Sequence, residues 1–402
     1  MKEKLLMICY RAPYPLKSGG VIRMYQFIEI LSQYYDITLL YLEDQQEDED
    51  MQPLYDKCSM VKKFHVNKLR RCVQAVGDYL FCGQPLQGGY FYSREMQKFI
   101  DEHEQEYPNI LCTHVRSIQY MFRGKKKDLS RHKLYLDGID AITLNYYNSY
   151  QTSSGIRKLM NGMEYRRMAK YEKMVYQMVE NSIFISERDR DYILDTLQVK
   201  CNPAVIPMYA MDYGYLPEVT KKKCTIAFMG KMDYAPNVDA VCHFTEQIFP
   251  KLREQYPKLE FQIIGGSPAE EVKKLAQIDG VKLMGFVENP AELLQGATLV
   301  IAPMVSGSGL QTKILQAMYL GCTVITTPVG ADGLSNVTDE ELVIAKDDKE
   351  LLEKMSYYLS EEADEARGQI GQNARTYIRN NYSYEIIRQK IAALFQIEIE
   401  DK

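Results

Sequence analysis

The chain alternates short apolar runs with longer amphipathic stretches. The short runs have the length and β-branched content of buried strands, whereas the stretches between them place apolar side chains on one helical face. Alternation of this kind is typical of parallel sheets with helices on both sides. The predicted strands are Leu5–Cys9, Ile37–Tyr41, Ile183–Ser186, Ile226–Met229, Phe261–Ile264, Leu299–Ala302 and Thr323–Thr326, and the predicted helices are Val21–Tyr34, Asn237–Tyr256, Glu270–Gln277 and Gln311–Leu320.

The pattern starts twice, at Leu5 and again at Thr225, after a stretch rich in Tyr and Met. A chain of 402 residues is also too long for one ordinary core. We therefore predict an α/β fold of two doubly wound, Rossmann-like parallel-sheet domains, at 1–207 and 224–383, with a linker at 208–223. A ligand is expected in the cleft between them, outside the carboxyl ends of the strands.

Composition describes a mildly acidic globular protein. Apolar residues make up 46% and charged residues 26%, and the net charge of -5 argues against a general nucleic-acid binder. The nine cysteines are scattered without a Cys-x-x-Cys pair, so neither a disulfide framework nor a zinc site is indicated. The first apolar run is too short for a secretory signal, and no run approaches the roughly 18 residues of a membrane span. We expect a cytoplasmic protein without a metal site.

A glycine-rich loop that leads into a helix is the most informative motif. It runs from Gly307 through Ser308, Gly309 and Leu310 to the predicted helix. Glycines let the backbone approach a ligand, and the first N–H groups of a helix attract phosphate. Lys313 adds a positive charge one turn in, and Gln316 lies three residues further on the same face, where its amide can reach sugar hydroxyls. The motif predicts a phosphorylated, hydroxyl-bearing ligand.

Further motifs accompany this loop in a specific order. They are Phe228–Asn237, Phe261–Gly266, Gly285–Val287, Leu299–Pro303 and Gly330–Gly333 in the second half, and Ala12–Pro15, Gly19-Gly20 and Asp137–Asp140 in the first half. Together they resemble the bacterial family-4 glycosyltransferases, which are retaining enzymes of the two-domain GT-B fold. The resemblance implies that a final helix, at 384–402, returns to the first domain.

The resemblance also implies roles for individual residues. Lys231 and Lys313 would stabilise the charge that develops on a leaving nucleoside diphosphate, and His114 would contact the donor sugar. These three are the predicted catalytic residues. The predicted donor-binding residues are Gly19, Gly20, Gly230, Phe286, Val287, Ser308, Gly309, Leu310 and Gln316. In the family a donor phosphate oxygen helps to take the acceptor proton, so neither an enzyme base nor a metal is implied.

Two positions depart from the family pattern. Gln316 replaces the usual glutamate, and Ser308 stands where a second acid is common. An amide binds a ribose hydroxyl more weakly than a carboxylate, by about 1–2 kcal/mol. The alternatives are therefore a non-catalytic GT-B relative, which binds a glycan or nucleotide or supports a partner transferase, and an epimerase on the same fold. Structural roles for Gln316 and His114 also stay open.

The preferred hypothesis is a retaining transferase of surface polysaccharide biosynthesis. Its donor would be a UDP- or GDP-linked sugar, which is a substrate and not a cofactor, and its acceptor a glycan or lipid-linked saccharide. Basic and apolar residues interleave at Lys62–Arg71 and Ile156–Lys173. Such segments are either solvated helix faces or faces that bind anionic lipid headgroups. We expect peripheral contact with the inner face of the cell membrane and no nucleic-acid partner.

Overall fold

The computed structural model describes residues 2–16, 18–43, 50–211, 219, 222–307 and 309–399. The chain forms two compact units. Unit 1 comprises Met1–Met208 and Arg388–Lys402, and unit 2 comprises Tyr209–Ile387. The predicted linker, 208–223, begins where unit 1 gives way to unit 2, and its residues 212–218, 220 and 221 lie outside the described residues. The acidic stretch after Glu43 also lies outside them as far as residue 49.

A parallel sheet forms the centre of unit 1. Its strands are β1 (Glu3–Cys9), β2 (Tyr35–Glu43), β3 (Met60–His65), β4 (Asn109–Thr113), β5 (Lys133–Ile139), β6 (Asn181–Phe184) and β7 (Ala204–Val205). They lie in the order β3-β2-β1-β4-β5-β6-β7, and each neighbouring pair is parallel. Leu5 to Cys9 are all buried, as expected for a central strand covered on both faces.

The helices of unit 1 connect these strands. They are α1 (Gly19–Leu31), α2 (Gln52–Tyr55), α3 (Lys68–Phe81), α4 (Leu86–Tyr90), α5 (Arg94–His103), α6 (Gln119–Phe122), α7 (Ile142–Thr152), α8 (Gly155–Met178) and α9 (Glu187–Asp191), with 3₁₀ turns at Glu104–Glu106 and Leu129–Arg131 and a π-helical turn at Tyr192–Thr196. Side chains fix several helix starts. The Asn67 amide oxygen accepts the Leu69 N–H in α3, and the buried Glu172 carboxylate accepts the first two N–H groups of α7 at 3.0 and 2.9 Å.

The segment Lys62–Arg71 differs from the prediction of a single helical face. It contains the end of strand β3 and the beginning of helix α3. Phe64 is buried, whereas Lys62 and Lys63, which precede it in strand β3, are exposed. The Phe64 ring packs into the core, whereas the Lys62 Nζ lies 4.1 Å from the centroid of the Phe99 ring and Lys63 pairs with the Glu43 carboxylate at 3.1 Å.

Unit 2 is also built on a parallel sheet. Its strands are β8 (Thr225–Met229), β9 (Glu260–Ile264), β10 (Val281–Gly285), β11 (Leu299–Ala302), β12 (Val324–Thr326) and β13 (Val343–Ile344), in the order β10-β9-β8-β11-β12-β13. Its helices are α10 (Ala235–His243), α11 (Phe249–Gln255), α12 (Glu270–Leu275), α13 (Ala291–Gly296), α14 (Thr312–Tyr319), α15 (Pro328–Ala331), α16 (Asp348–Leu359) and α17 (Asp364–Tyr382), with a 3₁₀ turn at Glu361–Ala363. The predicted fold class, two parallel-sheet α/β domains, is confirmed.

The predicted helix Asn237–Tyr256 is not continuous. A π-helical turn at Phe244–Ile248 separates α10 from α11. Pro250 lacks a backbone N–H and cannot continue the ordinary hydrogen-bond ladder, so the chain changes its helical pitch just before it. In neither unit does a described helix combine the length and the apolar character needed to cross a membrane.

The last helix, α18 (Tyr384–Phe395), ends in the core of unit 1. The Phe395 ring stacks on Tyr135 of β5 with centroids 3.9 Å apart and lies edge-on to Tyr35 of β2. Lys133 donates to the Gln396 side chain at 3.0 Å, and Arg388 donates to the Tyr34 hydroxyl at 2.6 Å. The carboxyl-terminal segment is therefore an integral part of unit 1.

We expect Phe395→Ala to lower the free energy of unfolding of unit 1 by about 3 kcal/mol, because it removes a buried ring that packs against the Tyr35 and Tyr135 rings. Urea unfolding followed by intrinsic tyrosine fluorescence measures the change. Phe81→Ala is the matched control, since that ring is 88% exposed in the same unit. Equal stability of the two variants would contradict the buried position of Phe395.

Candidate functional site

The chain connections of unit 2 diverge between the neighbouring strands β8 and β11. From β8 the chain continues to β9 and β10 on one side, whereas β11 leads to β12 and β13 on the other. Crevices that bind ligands in open α/β sheets lie at such a divergence, outside the carboxyl ends of the strands. Gly230 and Lys231 follow β8 at this edge, and the glycine-rich loop and α14 follow β11.

Lys313, in the first turn of α14, is a buried cation held by neutral groups. Only 9% of it is exposed, and its Nζ donates to the Asn237 side-chain oxygen at 2.5 Å. Nζ also lies 3.4 Å from the Met304 sulfur and 5.0 Å from the centroid of the Phe228 ring. Within the described residues it forms no ion pair with a carboxylate. A buried charge without an opposite charge is costly, and an anionic ligand would relieve that cost.

Asn237 links the two loops of this site, and sequence reasoning missed its role. Its amide group donates to the Lys231 backbone oxygen at 2.9 Å, while its side-chain oxygen accepts from Lys313. A Cβ atom on Gly230 would lie 2.6 Å from the Asn237 side-chain nitrogen, so glycine there leaves room for this bridge. The available signal was the position of Asn237 beside Pro236, at the start of helix α10.

Lys231 contacts the other site residues through its backbone oxygen, whereas its ammonium group is paired elsewhere. Its side chain is 53% exposed, and Nζ pairs with the Asp233 carboxylate at 2.9 Å. A diphosphate would have to compete with Asp233 for this ammonium group. The backbone itself is fixed, because the Gly230 N–H donates to Ile264 of β9, and a Cβ atom on Gly265 would collide with the Gly230 carbonyl oxygen at 1.8 Å.

The glycine-rich loop is tightly packed where the structure describes it. Gly309 has a positive φ of 71°, and both Gly309 and Leu310 are buried, with Gly333 against them. Ser308 lies outside the described residues. Gln316 is buried one helical turn beyond Lys313, and its side-chain oxygen has no hydrogen-bond partner among the described residues. Buried acceptors are rarely left unpaired, so this oxygen is available to a ligand hydroxyl.

Phe286 and Val287 follow β10 at the same edge of the sheet. Phe286 is 78% exposed, and Val287 is half-buried. A Cβ atom on Gly266, just after β9, would lie 3.4 Å from the Phe286 Cβ atom. The absence of a side chain on Gly266 therefore leaves room for Phe286. An exposed aromatic ring beside the crevice can stack on a planar ligand group.

The predicted site residues of unit 1 follow β1 and β4, its two central strands. Gly19 and Gly20 begin α1, and a Cβ atom on Gly20 would lie 3.0 Å from the Tyr10 hydroxyl. His114 directly follows β4 with a φ of 73°, and its Nδ1 accepts the Arg116 N–H at 3.2 Å. In the neutral ring the proton therefore lies on Nε2. Burial, together with Arg116 and Arg11, lowers the pKa of His114 well below 6.5. His114 is thus a neutral hydrogen-bonding group at neutral pH.

Two arginines next to His114 were not predicted as a pair. The guanidinium carbons of Arg11 and Arg116 lie 4.7 and 4.9 Å from the centroid of the Tyr10 ring. Arg116 also donates to the Gln87 side chain at 2.7 Å, and burial lowers its pKa. The positive charges of these two arginines add to the suppression of charge on His114.

The aspartates of the Asp137–Asp140 segment have different surroundings. Asp137 forms a buried, two-fold hydrogen-bonded ion pair with Arg23, both contacts being 3.1 Å, so its carboxylate is already occupied. Burial first, and then Asp189, raises the pKa of Asp140 to about 7, although Arg116 and Asn145 oppose the rise. The ion pair gives Asp137 a structural role, whereas the raised pKa of Asp140 lets this carboxyl group change its protonation near neutral pH.

The burial of Lys313 predicts a pH-dependent stability. Desolvation lowers its pKa from 10.5 to about 8. Between these pH values the unfolded chain binds a proton that the native chain does not, so this residue makes stability rise with pH. Since one pKa unit corresponds to about 1.4 kcal/mol, wild type should be about 3 kcal/mol less stable than Lys313→Met at neutral pH. The difference in stability between wild type and Lys313→Met should shrink from pH 8 upward and vanish above pH 10.5. Urea unfolding of both proteins across this pH range measures the difference. A difference that stays constant with pH would contradict the prediction.

Comparison with known proteins places these features in a wider group. Residues 223–361 match the family model described as Glycosyl transferases group 1. The chain is 22% identical to an uncharacterized 44.6 kDa protein in the cps region of Klebsiella pneumoniae, over 94% of this chain and 96% of that protein. Among solved structures, sucrose-phosphate synthase from Thermosynechococcus elongatus has 15% identity and a TM-score of 0.69, with 98% of each chain covered. Anabaena HepE, solved with UDP and glucose, has 14% identity and a TM-score of 0.66, covering 98% of this chain and 99% of HepE.

These comparisons agree with the described architecture. Their similarity extends over both parallel-sheet units, although the sequence identities are low. The matched family segment lies inside unit 2 and contains Lys231, Lys313, Gln316 and Asn237. The chain therefore has the GT-B fold, and its second unit carries a segment that matches Glycosyl transferases group 1.

Proposed function

We propose that this protein is a retaining glycosyltransferase, of the family-4 type, that transfers a sugar from a nucleotide-sugar donor. The observation that carries the proposal is Lys313, a buried ammonium group with neutral partners at the point where the chain connections of a parallel sheet diverge. The match to Glycosyl transferases group 1 over the same segment supports it. UDP- or GDP-linked sugars are the proposed donors, and HepE, which was solved with UDP and glucose, is a structural neighbour.

The proposed donor site assigns a task to each group in unit 2. Lys313 would contact the diphosphate and gain stabilising energy as negative charge builds on the leaving group. The unpaired oxygen of Gln316 would accept a hydrogen bond from one ribose hydroxyl, and Phe286 and Val287 would contact the base. Lys231 would assist the diphosphate after releasing Asp233. Gly230, Gly309 and Leu310 would border the donor, and Ser308 keeps its predicted place in this set.

The proposed roles in unit 1 concern the sugar and the acceptor. Gly19, Gly20 and the neutral His114 would contact the transferred sugar, with His114 as a hydrogen-bond donor through Nε2 and not as a proton source. The proposed acceptor is a glycan or lipid-linked saccharide of surface polysaccharide biosynthesis, at the cytoplasmic face of the cell membrane. The relative in the cps region of Klebsiella pneumoniae supports this setting.

The second candidate function is a non-catalytic GT-B relative that binds a nucleotide or glycan. It is favoured by Gln316, an amide where the resemblance leads one to expect a carboxylate. The unpaired acceptor oxygen of Gln316 is compatible with nucleotide binding under either hypothesis. Sugar transfer by the purified chain would exclude this candidate.

Nucleotide binding and turnover test the proposal together. Isothermal titration with UDP, GDP, ADP and CMP should show binding of one diphosphate, and the matching sugar nucleotides should then support transfer or slow hydrolysis. Near pH 8.5 binding should take up a proton, because a diphosphate raises the depressed pKa of Lys313. Titration in buffers of different ionisation enthalpy measures this uptake. Binding of none of the four nucleotides would refute the donor site.

A further inference from the structure

Two helices of unit 1 expose apolar faces to solvent. On α3, Leu69, Val73, Val76 and Leu80 recur at the spacing of one narrow helical stripe, and all are at least half exposed. On α8, Ile156, Leu159, Met160 and Met163 form a second stripe, in which Ile156 is 79% exposed. Of the twenty large apolar side chains exposed in the described part of the chain, eleven lie on these two helices. Such a concentration of exposed apolar side chains on two helices of one unit marks an interaction site.

The end of helix α3 is held against the middle of helix α8 by specific contacts. Arg167 of α8 donates to the Tyr79 backbone oxygen of α3 and stacks over the Tyr79 ring. Glu164 of α8 accepts the Leu86 N–H at the beginning of α4, which follows α3. The exposed Leu80 and Phe81 therefore lie beside the middle of α8. We call the exposed residues of α3 and the first half of α8 the α3/α8 face.

The α3/α8 face is positively charged on a protein whose net charge is -5. Lys68 and Arg70 flank the stripe on α3, Arg157 and Arg166 are exposed on the first half of α8, and Lys170 is exposed one turn further on. Lys158 lies on the side of α8 that faces α7, with its Nζ over the Tyr150 ring. The acidic side chains of α8, Glu164 and Glu172, are buried and hydrogen-bonded to backbone N–H groups. Asp78 of α3 pairs with Arg123 at 2.9 Å. The exposed charge of the two helices is thus entirely basic in the part of the chain described.

We propose that the α3/α8 face docks on the surface of an anionic lipid bilayer. Apolar side chains would enter the boundary between headgroups and acyl chains, and the flanking lysines and arginines would contact lipid phosphates. A second copy of the chain fits less well, because its own basic residues would meet these across the interface. The proposal concerns binding alone and stands whether or not the chain transfers sugar.

Flotation of the full-length protein with lipid vesicles tests the proposal. We expect binding to vesicles that contain phosphatidylglycerol and at least tenfold weaker binding to phosphatidylcholine alone. The variants Leu80→Asp/Phe81→Asp and Leu159→Asp/Met160→Asp should each weaken binding at least tenfold, and Lys68→Glu/Arg70→Glu should remove the preference for anionic lipid. Ile278→Asp/Tyr357→Asp is the matched control, since these exposed apolar residues lie in unit 2.

Several outcomes would overturn the proposal. They are absence of flotation with either lipid, equal binding by wild type and both apolar-face variants, and binding that is indifferent to lipid charge. A concentration-dependent dimer in sedimentation velocity, abolished by the same variants, would instead assign the face to a second copy. Unchanged circular dichroism and unchanged nucleotide binding in each variant show that the fold is retained. Failure of lipid binding with intact nucleotide binding separates this proposal from the proposed function.

Discussion

Lys313→Ala is expected to lower sugar transfer by about 10²–10³-fold while the protein folds normally. A cation fixed where charge develops in the transition state contributes on this scale, because it needs no reorganisation during the reaction. Alanine also removes a buried charge whose native surroundings are neutral, so the variant should be no less stable than wild type. Initial rates with the donor identified by titration, together with urea unfolding, measure both effects.

Two further variants make this result interpretable. Lys313→Met keeps the side-chain volume and should lose the same activity, which separates loss of charge from loss of packing. Lys231→Ala should cost less than Lys313→Ala, because Asp233 already pairs with that ammonium group. Unchanged turnover in Lys313→Ala would remove the central role assigned to it, and a larger loss in Lys231→Ala would move the diphosphate contact to the loop after β8.

Arg23→Met is expected to destabilise unit 1 by about 3–5 kcal/mol. Arg23 and Asp137 are almost completely buried, and the guanidinium group also donates to the Pro207 carbonyl at 2.8 Å. Loss of the arginine leaves the Asp137 carboxylate buried without its counterion, which costs far more than an exposed pair would. The pair joins α1, β5 and the chain beyond β7, so its loss should act on the whole unit.

Urea unfolding of single and double variants tests this pair. Arg23→Met/Asp137→Leu should be clearly more stable than Arg23→Met alone, since it leaves no buried charge unpaired. The control is Lys63→Met, which breaks the partly exposed pair with Glu43 and should change stability by less than about 1 kcal/mol. Equal losses in Arg23→Met and Lys63→Met would contradict the assigned burial.

The sheet could be predicted from the sequence where strands are buried on both faces. Leu299–Ala302 matched β11 in full, because a central parallel strand is a continuous apolar run. Strands β3, β4, β5, β7, β10 and β13 are not among the predicted strands, although β4 and β5 are buried as well. β3 contains consecutive lysines, β10 alternates buried and more exposed residues at a sheet edge, and β7 and β13 have two residues each. Such segments carry little periodic signal and are stabilised by pairing with neighbours that only the fold provides.

Some features of the candidate site could likewise be predicted from local sequence, whereas others depend on tertiary packing. The glycine-rich loop and Lys313 are local in sequence, so spacing alone indicated a phosphate ligand. The hydrogen bond between Lys313 and Asn237 joins residues 76 positions apart, and the stacking of Arg11 and Arg116 on Tyr10 joins two strands. These contacts depend on tertiary packing and could not be predicted from motif spacing. The ion pair of Lys231 with Asp233 was also unforeseen, although the two residues are neighbours, because rotamers decide it.

The position of Phe395 between Tyr35 and Tyr135 also constrains how the protein can be made. On the ribosome, all strands of unit 1 emerge before the residue that completes their core, and all of unit 2 is synthesised in between. Unit 2 is contiguous along the chain and can finish folding first, although it begins later. Unit 1 must then wait with an incomplete core until Phe395 has left the ribosome. A nascent chain that stalls inside unit 2 would leave the first unit exposed to proteases and chaperones.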